Sequence, residues 1–137
     1  MKHTGVQFMA SVFVLLASLS MVAVPLMAHH GRGNVYDDSK ILVIEGTVSE
    51  WAWRNPHVAL YVDVAEADGT VVNWAFESQN VGSLSRLGMS RQTFVPGQQI
   101  TVRFNPSRGG APVGVIRRID NTATGQEILA WGGPIND

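Results

Sequence analysis

Of the 137 residues, four are histidine, and two of these, His29 and His30, are adjacent. If the chain is cleaved after Ala28, His29 becomes an N-terminus. Its free amine and its imidazole nitrogen then chelate one divalent ion, a geometry suited to Cu(II) and less so to zinc or nickel. His30 adds another nitrogen. A third histidine, His57, and the acidic residue Glu77 lie on two neighbouring stretches of strict alternation. Imidazole and carboxylate together suit copper or zinc, although no spacing motif demands a metal at either residue. The bland reading leaves His29 and His30 solvated on a polar arm. In it His57 bonds the Asn55-Pro56 turn and Glu77 faces water.

A second constellation is aromatic: Trp51, Trp53, Tyr61, Trp74 and Trp131. Alternation assigns Trp74 to the core. Trp51 and Trp53 would face outward on a regular first strand and, with Tyr61 and Asn73, form a ligand-binding face of the kind small barrels use for stacking. Core packing is the simpler fate for the two tryptophans. The carboxylates Glu45, Glu50, Asp63 and Glu77 show no spacing that singles out an acid–base pair. Nucleophile elbow, phosphate loop and His-Glu-x-x-His helix are all missing from the sequence, so no enzyme is expected.

Composition narrows the partners. There are no cysteines, which excludes disulfides, thiolate catalysis and cysteine-ligated metal. Lys2 and His3 precede an uncharged, mostly apolar run over residues 6–27 that closes on Ala28, the pattern of a secretory signal peptide. Residues 1–28 are therefore expected to be removed, making the protein periplasmic or secreted, with no membrane association afterwards. The remaining 109 residues carry 11 acidic and 9 basic side chains, a net charge of about −2. With no basic run, nucleic acid is not an expected partner.

These side chains need elements to position them. Residues 29–40 are polar and aperiodic and read as a flexible arm. Residues 41–137 form the domain. In the first strand Leu42, Ile44 and Val48 share one parity with Gly46, while Trp51 and Trp53 carry the other. That change requires a bulge near Ser49-Glu50 if the tryptophans are to point inward. Val58, Leu60, Val62 and Val64 then alternate, as do Val72, Trp74 and Phe76. A two-residue loop between these runs would set Val62 against Ala75. A three-residue loop over residues 67–69 sets Val64 against Val72, Val62 against Trp74 and Leu60 against Phe76, with Gly69 in the left-handed conformation. This second register keeps every apolar side chain inside.

Val81, Leu84 and Leu87, with Gly88 behind them, predict a helix of two to three turns. Ile100, Val102 and Phe104 predict a fourth strand, Val113, Val115 and Ile116 start a fifth, and residues 128–131 give a short edge strand. Three strands, a helix and two strands is the order of an OB-like five-stranded β-barrel, mainly β, with one short helix between strands three and four.

With these elements placed, the chain resembles an uncharacterised exported bacterial family, the domain of unknown function 6152. The resemblance rests on Ala28-His29-His30, Gly46-Thr47-Val48, Trp53-Arg54-Asn55-Pro56-His57, Asp68-Gly69, Asn73-Trp74 and Pro96-Gly97. The tryptophan followed by Asn-Pro-His is its most specific part. Gly31-Arg32-Gly33 departs from the family pattern, which has a serine-and-aromatic segment there. The resemblance implies an exported small β-barrel and supplies no activity. The functional expectation is a non-catalytic binding module for Cu(II) or a similar divalent ion. The alternative is a barrel that binds a small ligand or a periplasmic protein on its outer aromatic face without metal.

Overall fold

The first strand, β1 (Leu42–Ala52), serves two neighbours in turn. Its first half pairs antiparallel with β4 (Gln99–Pro106), from Leu42 opposite Phe104 to Thr47 opposite Gln99. Its second half pairs antiparallel with β2 (Ala59–Ala65), from Thr47 opposite Asp63 to Ala52 opposite Ala59. Thr47 pairs with both Gln99 and Asp63, so the two pairings meet there, and the residue beside it is Gly46. A Cβ there would lie 2.6 Å from both the Asp63 carbonyl oxygen and a Val62 methyl carbon. Glycine is what lets the two strands approach this closely.

Beyond Thr47 the predicted bulge is present. Val48 opposes Val62 and Glu50 opposes Tyr61, so Ser49 is the extra residue. The bulge switches the parity, and Trp51 then pairs with Leu60 on the inner face. This corrects the outward placement of Trp51 and Trp53, which are 9% and 8% exposed.

The structure is a computed structural model that describes residues 35–131. After β2 comes β3 (Val71–Glu77), in the register that keeps apolar residues inside: Val64 to Val72, Val62 to Trp74, Leu60 to Phe76. The loop closes through a Glu66 N–H donated to the Thr70 carbonyl at 2.8 Å, with Gly69 at φ +86°. Helix α1 (Val81–Arg86) follows, capped by Asn80, whose side chain accepts from the Ser83 N–H at 2.9 Å. It is shorter than predicted. Leu84 is fully buried, but Leu87 falls past the last turn and is exposed.

Strand β5 (Val113–Asn121) pairs antiparallel with β4 and, through Val113–Val115, parallel with β3. The parallel contact closes five strands into a barrel with OB-type connectivity. The inward residues of β5 are Gly114, Ile116 and Ile119, whereas Val113 and Val115 face outward. Gly114 lies directly under the Phe104 ring, where a Cβ would collide. The far half of β5 pairs with β6 (Glu127–Ala130), the expected short edge strand.

Inside the barrel Phe76, Phe104, Leu60, Val62, Ile100, Val102, Ile116 and Ile119 are essentially inaccessible. Burial of such side chains contributes roughly 1.5–3 kcal/mol each. Trp51 plugs one end. Its ring meets Phe94 edge-on at 5.0 Å, and its indole N–H donates to the Ser90 carbonyl at 2.9 Å. Among the described residues, no helix is long and apolar enough to cross a membrane.

Candidate functional site

On β2 and its lead-in the outward parity carries His57, Ala59, Tyr61 and Asp63. On β3 it carries Val71, Asn73, Ala75 and Glu77. Glu77 directly opposes Ala59, whose side chain is too small to screen it from the diagonal neighbour. His57 uses that opening. Its Nδ1 lies 2.8 Å from Glu77 Oε1, with the two side chains 44% and 25% exposed. The imidazole and the carboxylate singled out as metal ligands are thus brought together. The Asn55 side chain turns the other way and accepts from the Val81 N–H at 3.2 Å.

The second Glu77 oxygen leads to a residue that alternation did not flag. The Tyr36 hydroxyl donates to Oε2 at 3.3 Å across 41 positions of sequence. Tyr36 belongs to the arm, which from Val35 onward is fastened to the barrel instead of hanging free. Tyr36 bridges Ser107, the Asp37 N–H donates to the Pro106 carbonyl at 2.8 Å, and the Arg108 N–H donates to the Val35 carbonyl at 2.9 Å. Asn105, almost wholly buried, donates its side-chain amide to the Lys40 carbonyl at 2.7 Å. Asp37 adds charge contacts to Lys40 at 3.3 Å and Arg108 at 3.7 Å. Its carboxyl is held below the ordinary 3.8, first by the Ser39 hydroxyl and then by the Lys40 and Arg108 side chains and the Ser39 N–H.

The remaining candidates separate. Tyr61 is half-buried on the outer face, between Glu50 and Ala75. Asn73 is exposed, but its side-chain amide already donates to Ser49 Oγ at 2.9 Å and Asp63 Oδ1 at 2.6 Å, tying down the bulge. Trp51 and Trp53 lie in the core, so the platform predicted from all four residues is not assembled. His29 and His30 fall outside the described residues. Among the described residues no group of three or more potential metal-binding side chains occurs, so His57 and Glu77 stand as a pair.

A separate cavity of about 240 Å³ opens over the outer face of β4 and β5. There Arg103 and Arg118 oppose each other across the strands, and both contact the buried carboxylate of Asp120. Like charges facing one another are unfavourable, and Asp120 offsets that cost. The arrangement is a structural clamp on the β4–β5 pair.

No curated protein matches the chain. Among solved structures, the mitochondrial single-stranded DNA-binding protein Rim1 of S. cerevisiae is similar at 14% identity and a TM-score of 0.46, over 61% of this chain and 93% of that one. At that distance the likeness says nothing about ligands. The sequence itself is matched over residues 15–117 by the model of a "Family of unknown function (DUF6152)", and the chain belongs to that family.

Proposed function

We propose that this is an exported, non-catalytic binding barrel that takes Cu(II) or a similar divalent ion at His57 and Glu77, with His29 and His30 supplying further nitrogens. The observation that carries the reading is the 2.8 Å separation of His57 Nδ1 and Glu77 Oε1. Two ligand atoms bound about 2.0–2.1 Å from one ion lie about 2.9 Å apart at right angles and about 3.4 Å apart in a tetrahedron. The observed 2.8 Å is also the ordinary length of an N–H···O hydrogen bond between the two side chains, so an ion would take the proton's place there, and the distance does not choose between metals. Two donors are too few to hold an ion tightly, so the rest must come from elsewhere. Tyr36 touches Glu77, and His30 is only six residues upstream, a span of at most about 20 Å of extended chain. Cleavage after Ala28 would free the His29 amine as another nitrogen ligand. The metal-free alternative retains Tyr61 on the outer face but has lost its tryptophans.

The test is calorimetric. Protein matured from its own leader, without an N-terminal tag, is expected to take up one Cu(II) with submicromolar affinity. His57→Ala should weaken binding at least tenfold, as should a glycine inserted before His29. Weak, non-stoichiometric uptake by the wild type would reject the reading.

A further inference from the structure

We infer that Tyr36 is a positioning residue that couples docking of the N-terminal arm to occupancy of the His57–Glu77 site. This rests on the metal reading above and deepens it. Glu77 is the pivot, because its two oxygens serve different elements: Oε1 faces His57 beside β2, and Oε2 accepts from Tyr36 of the arm. A glutamate on an outer strand face ordinarily samples several rotamers, and fixing one costs entropy. The Tyr36 hydrogen bond selects the rotamer that leaves Oε1 directed at His57. An ion bound at Oε1 holds the carboxylate in the rotamer that accepts from Tyr36. The two events share one side-chain conformation and favour each other, and linkage makes the effect reciprocal. The arm's backbone bonds extend the coupling. Tyr36 sits within the segment fastened by Asp37 to Pro106 and by Arg108 to Val35.

The experiment uses the full mature protein and Cu(II) alone, reading amide hydrogen exchange by mass spectrometry alongside affinity and the visible spectrum. In the wild type, Cu(II) should slow exchange at Asp37 and Arg108 severalfold. Tyr36→Phe should abolish that slowing and weaken Cu(II) binding roughly two- to tenfold, the worth of one ordinary hydrogen bond. His57 should remain a ligand in that variant by electron paramagnetic resonance. Glu77→Gln should lose both the affinity and the slowing. If Tyr36→Phe keeps wild-type affinity and wild-type slowing, the coupling is wrong. A phenolate-to-copper absorption band that vanishes in Tyr36→Phe would make Tyr36 a ligand and overturn its positioning role. Failure of the wild type to take up Cu(II) would instead remove the metal reading itself.

Discussion

Single residues divide the candidate site into groups that converge and groups consumed by the fold. His57 and Glu77 converge because both face outward one diagonal apart, and small Ala59 leaves the diagonal open. That pairing was legible in the alternation. Tyr36 was not, since a lone tyrosine in an aperiodic arm has no pattern to betray which carboxylate it will meet. Trp51 illustrates consumption by the fold. Buried against Phe94 and bonded to the Ser90 carbonyl, it should behave as a core residue. Trp51→Ala is expected to cost about 3–5 kcal/mol in a urea melt, whereas an exposed stacking residue would change stability by well under 1 kcal/mol. Asp37 supplies a pH prediction. Its folded pKa lies below the ordinary 3.8, so its contribution to fastening the arm is fully present above that value and fades as pH falls through the lower folded pKa. A carbon-detected titration should place its midpoint below 3.8, and Ser39→Ala should raise it, because the Ser39 hydroxyl is the leading cause.

At the scale of elements, the β2–β3 hairpin was readable to the residue. Side-chain parity admits one register that buries all its apolar positions, and Gly69 supplies the positive φ that the register needs. The β1 bulge was legible only as one of two outcomes, because the parity exchange requires it if Trp51 and Trp53 point inward and not if they point outward. Other elements carried weaker signals. The helix stops before Leu87 because the chain turns at Gly88, and a three-residue apolar spacing cannot say on which turn that happens. In β5 the inward position beneath Phe104 is a glycine, so apolar alternation pointed to its valine neighbours. Two glycines carry expectations of opposite sign. Gly46→Ala must push a methyl into the Asp63 carbonyl and should destabilise by about 2 kcal/mol or more. Gly82→Ala on the exposed face of α1, with its nearest neighbour 3.4 Å away, should stabilise by up to about 1 kcal/mol. Chemical denaturation of the two variants in parallel checks both signs.

For the whole molecule, closure of the barrel gives the site a rigid floor. The parallel β3–β5 contact fixes Glu77 opposite Val115, and the β4–β5 connection begins at Ser107, where the arm is bridged. The end of β3, the start of the β4–β5 loop and the docked arm therefore meet around one carboxylate. Strand count and order foretold the barrel. They could not foretell the docking, which depends on backbone bonds at Val35 and Asp37 and on the buried Asn105 side chain, none of which leaves a periodic trace. On the proposed reading His57 and the arm histidines act on one ion. Electron paramagnetic resonance of the one-to-one Cu(II) complex can count the nitrogen ligands through their hyperfine splitting. Several equatorial nitrogens are expected, one lost in His57→Ala and others lost when a glycine precedes His29. A nitrogen pattern unchanged by His57→Ala would overturn the shared site and leave the arm binding copper without the barrel.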